Sequence, residues 1–298
     1  MAWDPIPPEV CARLRGLRIG SRRAAGGRGF GLHRSRSRGA GMEFVQYRGY
    51  EPGDELRRID WKLYARSDRF FVREAERESP LNIWVLVDTS GSMAQADEQR
   101  PEWSRLDAAR ALAACVFEVA LAQGDPFGLA LAGNGGLALL PAAAGMRQRD
   151  RLLATLRDAT PGGGLPAPEQ LAPLWQRIGP EDVVVVLGDF FDDASAALAG
   201  RLAAARREVL AIQLLTVAER DFPFGDGRLF RDPETGDELP GDGPAMREGF
   251  LARFGQARRE LQARFEAAGI RHAEYVLDQP LDLPLQRLFG GAGVSERS

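Results

Sequence analysis

Apolar and polar positions are arranged along this chain in two different rhythms, and each predicts a different kind of element. NIWVLVD (82–88) and DVVVVLGD (182–189) are almost unbroken apolar runs, the pattern of strands covered on both faces. EVLAIQLLT (208–216) and RHAEYVLD (271–278) read as further strands. PFGLALAG (126–133) and GLALLPA (136–142) are two short strands separated by Asn134 and Gly135, a hairpin spacing. Between these runs, apolar residues recur three and four apart, which predicts helices over 105–124, 146–159, 167–178, 193–207 and 244–269, with a short closing helix over 281–289. Gly124 and Gly269 supply stop signals. Residues 225–243, rich in polar turn residues, read as a small hairpin. Strands alternating with helices predict an α/β fold, three layers deep, around a mostly parallel sheet. Ligands bind such sheets at the carboxyl ends of the strands.

The first eighty residues do not follow this rhythm. Residues 11–40 hold Arg13, Arg15, Arg18, Arg22, Arg23, Arg28, Arg34, Arg36 and Arg38 and no acidic residue, with Gly and Ser between them. We expect residues 1–40 to be a flexible, solvated basic arm. Its functional counterpart is electrostatic docking to an acidic partner, a membrane surface or nucleic acid. Few aromatics interleave with the arginines, so base stacking is poorly supported. Residues 41–80 mix aromatic, acidic and basic residues with little periodicity. EPGD marks a turn, and FFVREAER reads as a strand.

Composition narrows the function classes. The chain has 298 residues, enough for one large domain with extensions, and 44% hydrophobic with 27% charged residues is the balance of a globular protein. A net charge of −3 argues against a general polyanion binder. No apolar run reaches the roughly 20 residues of a membrane span, and the N-terminus lacks an apolar signal core, so a cytoplasmic location is expected. Two cysteines support neither a disulfide framework nor a cysteine zinc site, and Cys115 sits in an apolar helical run as a core residue. His33 and His272 stand far apart, which leaves no inventory for a multi-histidine metal site or a histidine-based triad.

The candidate chemistry lies where two buried strands end in aspartate. Asp88 closes one and Asp189 the other, and in a parallel sheet both carboxylates emerge at the same edge. Ser90 and Ser92 follow Asp88 in the stretch DTSGS. Carboxylate and hydroxyl oxygens suit Mg²⁺ or Mn²⁺. A phosphate loop would need a lysine that is absent here, and a nucleophilic serine would need a histidine base. A phosphotransfer role for Asp88 stays open at this point, as does a plain strand-end turn held by Asp and Ser hydrogen bonds.

The same residues carry a family resemblance. Asp88, Ser90 and Ser92 resemble the metal-ion-dependent adhesion site of von Willebrand factor type A domains. EFVQYRGYEPGDELRRIDWKLYAR (43–66) resembles the signature of the bacterial domain-of-unknown-function 58 family, through Glu43, Tyr47, Arg48, Tyr50, Pro52, Gly53, Asp54, Arg57, Ile59, Asp60, Trp61 and Arg66. FPFGDGRLFRDPETGDEL (222–239) resembles that family's later insert. The resemblance spans roughly residues 30–290. It implies a von Willebrand factor A-like, Rossmann-like fold over 81–290, with a hairpin insert at about 222–243, the signature segment 41–80 packing on the core, and an N-terminal extension. It further implies a non-catalytic protein-interaction module that acts with a MoxR-type AAA+ ATPase in assembling or remodelling protein complexes. By that likeness Ser90 and Ser92 would hold Mg²⁺ through their hydroxyls, Asp88 directly or through water, and Asp189 would be the later acidic residue. A partner's Asp or Glu would complete the coordination. One departure stands out. The loop that should supply a threonine has Leu165 at the expected place, with Thr160 too early. The signature's Arg57, Arg58 and Asp60 read as an internal polar network, and Tyr47, Tyr50 and Trp61 as packing anchors. Two other function classes remain: a Mg²⁺-dependent phosphatase or phosphotransferase using Asp88, and an adaptor for nucleic acid or a membrane surface working through the basic arm.

Overall fold

A computed structural model describes residues 5–20, 45–50, 59–75, 81–133, 136–224, 228–231, 238–241 and 243–290. The chain divides into two compact units, residues 28–80 and the remainder.

In the larger unit the helix α1 (Pro8–Leu14) comes first. After the smaller unit, which holds β1 (Val45–Gly49), α2 (Trp61–Ser67) and β2 (Phe71–Ala75), the rhythm becomes regular: β3 (Ile83–Asp88), α3 (Arg105–Gln123), β4 (Phe127–Gly133), β5 (Gly136–Ala143), α4 (Met146–Asp158), α5 (Ala172–Arg177), β6 (Val183–Gly188), α6 (Asp193–Ala204), β7 (Glu208–Leu215) and α7 (Val217–Asp221). A hairpin of β8 (Arg228–Arg231) and β9 (Glu238–Gly241) follows, then α8 (Gly243–Ala267), β10 (Arg271–Val276) and α9 (Asp282–Phe289). The strands and long helices fall within a few residues of the sequence expectations. The helix expected over 167–178 is the exception, its regular part shrinking to α5.

Six strands form one sheet in the order β10-β7-β6-β3-β4-β5, parallel throughout except for β5, which runs back along β4. The expected α/β class and mostly parallel sheet are therefore present. Side chains alternate between two cores. Val85, Val87, Leu129 and Leu187 face α1, α3, α4 and α9 on one side, and Trp84, Leu86, Val184 and Val186 face α5, α6 and α8 on the other. Helix α3 is buried along most of its circumference, Cys115 included, because it crosses the centre of the first face. The chain runs from β3 to β4 in one direction and later returns to β6 on the other side of β3. The crevice between the carboxyl ends of β3 and β6 is thus the topological switch point.

The N-terminal segment differs from expectation. Ile6, Val10, Leu14 and Ile19 are buried in the first core, and the Gln123 side chain pairs with both backbone groups of Ile19, at 2.7 Å and 2.9 Å. Residues 6–19 are therefore a packed element and not an arm. Val10 and Leu14, four apart, are the buried face of α1, Ile6 packs just ahead of it, and Arg13 is exposed. The arginines from Arg22 to Arg38 lie outside the described residues.

In the smaller unit, β1 and β2 pair antiparallel, with α2 between them in sequence. Buried Asp60 is the N-cap of α2, its Oδ1 accepting from the amides of Lys62 and Leu63 at 2.9 Å and 3.0 Å. Asp60 thus caps the helix; Arg57 and Arg58, its expected partners in a polar network, lie outside the described residues. Tyr64 stacks on Phe70 at 4.4 Å, and Tyr50 and Trp61 meet Phe70 edge-on. Trp61 keeps 59% of its surface exposed, so it is less an anchor than an outward-facing ring.

Candidate metal centre at the sheet switch point

Adjacent β3 and β6 bring Asp88 and Asp189 together at their carboxyl ends. The close approach depends on Gly188: a Cβ there would lie 3.1 Å from the Asp88 Cβ and 3.4 Å from Oδ2. After Asp88 the chain makes an Asx turn, with the Ser90 amide donating to Asp88 Oδ1 at 2.8 Å. Gly91–Ala94 then form a single 3₁₀ turn. That geometry sets the Ser90 and Ser92 hydroxyl oxygens 3.1 Å apart, both buried. Gly133 packs under the loop. A Cβ on it would fall 2.4 Å from the Thr89 carbonyl carbon, and its φ of +151° is itself unfavourable for other residues.

The four residues expected from the sequence all converge here, joined by Asp192. One carboxylate oxygen from each of Asp88, Asp189 and Asp192 lies within 4.8 Å of the others. Asp192 also caps α6, accepting from the Ser195 amide at 2.7 Å. Its signal in the sequence was the acidic run DFFDD, which reads more simply as a helix start. The expected threonine is indeed missing from the loop beside the site. That loop is tied to the Asp88 turn by two backbone hydrogen bonds, Gly162 N–H to Thr89 O at 2.9 Å and Gly91 N–H to Gly163 O at 2.7 Å. Leu165 packs against the second core and offers no oxygen, while Thr160 is exposed.

Sequence reasoning missed the cation of the site. Arg105, the first residue of α3, is one of the largest fully buried side chains. Its Nη1 donates to Asp189 Oδ2 at 3.0 Å and to the Ser92 carbonyl at 2.9 Å, and its Nη2 pairs with Glu219 of α7. The guanidinium lies 4.9 Å from the ring centre of Phe191, which is itself 48% exposed. An arginine at a helix N-terminus opposes the helix dipole, and this mismatch is the one cue the sequence offered. Asp97 extends the network to α7, accepting from the amides of Val217 and Ala218 at 3.0 Å each.

The donor set suits a small divalent ion. Asp88 Oδ2 is buried with no hydrogen-bond partner, beside two hydroxyls and two further carboxylates. Burial, chiefly, pushes the Asp88 carboxyl up from 3.8 to about 6; the Asp189 and Asp192 charges add to this, while the Ser90 hydrogen bonds pull it down. Arg105 neutralises Asp189 on one side only, so negative potential persists at Asp88.

Known proteins give a consistent family. An uncharacterized protein of Mycobacterium tuberculosis, Rv1480, is 31% identical over 269 residues, covering 88% of this chain and 82% of its own length, and an uncharacterized protein of Mycobacterium bovis, Mb1516, matches to the same extent. Among solved structures, the chain is similar to the conserved hypothetical protein BatB from Bacteroides thetaiotaomicron (TM-score 0.43, 17% identity, 70% of this chain and 97% of that one). It is similar too to the SpRpn10 VWA domain (TM-score 0.43, 14% identity, 73% and 100%). Among the described residues no helix is long and apolar enough to cross a membrane. The profile of the family described as Protein of unknown function DUF58 matches residues 46–261, and with relatives of 31% identity along most of both chains this protein belongs to that family.

Proposed function

We propose that this protein is a non-catalytic interaction module that docks a partner through a divalent cation, Mg²⁺ or Mn²⁺, held by Asp88, Ser90 and Ser92 with Asp189 and Asp192 around it. The observation that carries the reading is Asp88 Oδ2: a buried carboxylate oxygen without a partner, facing hydroxyl and carboxylate oxygens at the switch point. Such an ion prefers six oxygens and keeps positions for outside ligands. A carboxylate from a partner protein is the natural occupant of one of them, and exposed Phe191 gives that partner an apolar contact alongside. We assign the partner to a MoxR-type AAA+ ATPase or its client, in the assembly or remodelling of a protein complex. The enzyme alternative finds little support. The cation of the site, Arg105, is engaged by Asp189 and Glu219, which leaves it poorly placed to serve a phosphoryl group at Asp88.

The test is thermal unfolding of wild type and Asp88→Ala with chelator and with Mg²⁺ or Mn²⁺, followed by co-purification with the ATPase under the same conditions. A ligand bound only by the native state raises the melting temperature. A metal-dependent rise confined to wild type, with metal-dependent capture of the ATPase, is expected. Capture that ignores both metal and Asp88→Ala would remove the site from the mechanism.

A further inference from the structure

The two edges of the main sheet are built differently. At one end β5 carries Pro141, which has no amide to offer a neighbouring strand. At the other end β10 pairs with β7 on one side, and among the described residues no strand pairs with its outer side. The alternation that turns the Leu277 amide toward Leu215 O, at 3.0 Å, turns the backbone groups of His272 and Glu274 outward. Val276 also faces out, but its amide is taken by the Gln279 side chain at 3.2 Å. A stretch of two outward residues with free hydrogen-bonding groups is left on an edge about 20 Å long.

A cavity of about 390 Å³ lies along that stretch. Arg258, Arg259 and Gln262 of α8 line it from one face of the sheet and Arg287 of α9 from the other, with His272 and Glu274 as its floor. Arg258 is committed to Glu274, its Nε donating at 2.7 Å. Arg259 and Arg287 are exposed and form no ion pair among the described residues. The edge is therefore open to backbone pairing and flanked by positive charge from both faces.

We propose that the outer edge of β10 docks an extended acidic segment of a partner protein, which adds as a seventh strand. Main-chain bonds to His272 and Glu274 hold it in register, and Arg259 and Arg287 take its acidic side chains. A second copy of this chain is a poor occupant, because edge-to-edge pairing would set these arginines against their own counterparts. The surface uses no residue of the Asp88 site, so it stands or falls apart from metal docking.

The test uses the full chain and a labelled peptide of about ten residues in a Val-Glu-Glu repeat, which puts glutamates on both faces of the added strand. Its comparisons are the same peptide with a central proline, the valine–lysine counterpart, and inorganic phosphate. Fluorescence anisotropy reads binding, and hydrogen exchange reads the His272 and Glu274 amides. The glutamate peptide should bind and slow exchange at both amides, the proline and lysine peptides should fail, and Arg259→Glu with Arg287→Glu should weaken binding roughly tenfold. Both side chains are exposed, so the double variant keeps its fold. Equal binding of the proline peptide would reduce the surface to a charged patch. Displacement of the glutamate peptide by phosphate without amide protection would make it a small-anion pocket. No binding of the glutamate peptide would leave the arginines as guards against edge pairing. Each of these three results overturns the proposal.

Discussion

Replacing Asp88 with asparagine separates the cost of the site from its use. The carboxyl is raised from 3.8 to about 6 in the folded protein, so its proton is held more tightly there than in the unfolded chain. A group shifted in this direction contributes its full stability below the unfolded value and loses it as pH rises through the folded one. Without metal, the wild-type protein should therefore become less stable between about pH 4 and pH 7 on account of this residue alone. A shift of about two units corresponds to about 3 kcal/mol. Asparagine has the same shape, carries no charge, and its oxygen can still accept from the Ser90 amide. In chelator, Asp88→Asn should equal wild type near pH 4 and exceed it by about 2–3 kcal/mol at pH 8. With Mg²⁺ the gap closes: wild type gains about 2.7 kcal/mol at a hundredfold excess over the dissociation constant, and the variant gains nothing. Urea unfolding at both pH values, with and without metal, gives all four numbers, and the difference between the two proteins cancels every titrating group not coupled to Asp88. If the variant is the less stable protein at pH 8 in chelator, the carboxylate is not the strained, unsatisfied group described here.

Arg105→Met leaves Asp189 and Glu219 without their buried cation and should cost about 3–5 kcal/mol by urea unfolding; an effect under 1 kcal/mol would show that water replaces it. Gly133→Ala drives a methyl into the Thr89 backbone and should cost about 2 kcal/mol or more and also remove the response to Mg²⁺, since the Asp88 turn rests on this contact. Leu165→Thr supplies the missing loop hydroxyl. It should lower the Mg²⁺ concentration needed for half-maximal thermal stabilisation while costing about 1 kcal/mol of metal-free stability, because the leucine packs on the second core. Deleting residues 1–20 should lower stability by at least about 3 kcal/mol, because Ile6, Val10, Leu14 and Ile19 are buried; a merely tethered segment would leave the unfolding curve unchanged.

Strands β3 and β6 and their terminal aspartates were legible because a strand buried on both faces must be apolar along its whole length, and the first polar residue then marks its end. That both ends emerge at the same edge followed from the parallel alternation; that β3 and β6 are neighbours did not, because β4 and β5 lie between them in the chain. The partners of the site were less legible, for reasons specific to each. Arg105 looks like an ordinary solvated helix residue until Asp189 and Glu219, far along the chain, are known to surround it. Asp192 satisfies a local rule, helix capping, so nothing in its neighbourhood demands a second role. Residues 6–19 were hidden by their arginines, although the apolar spacing of four was present beneath them. β1 and α2 are short, and their period could not be told from noise.

Arg105 also bears on the balance of charge at the site. Carboxylates this close repel one another, and in a buried setting the repulsion is weakly screened. The guanidinium is a cation that cannot leave. It is held by Asp189, by the Ser92 carbonyl and by Glu219, so the loop of Ser90 and Ser92, the end of β6 and the start of α7 stay joined whatever else is bound. Its single charge is shared between Asp189 and Glu219, which leaves Asp88 and Asp192 with no cationic partner among the described residues. Two carboxylates not matched by a fixed cation suit a removable dication, whereas a site fully neutralised by arginine would hold none. On the proposed reading of the site, the fixed charge preserves the shape of the crevice and the residual charge would select the ligand. Arg105→Met should then damage the fold far more than it damages metal selectivity, and Asp88→Asn should do the reverse.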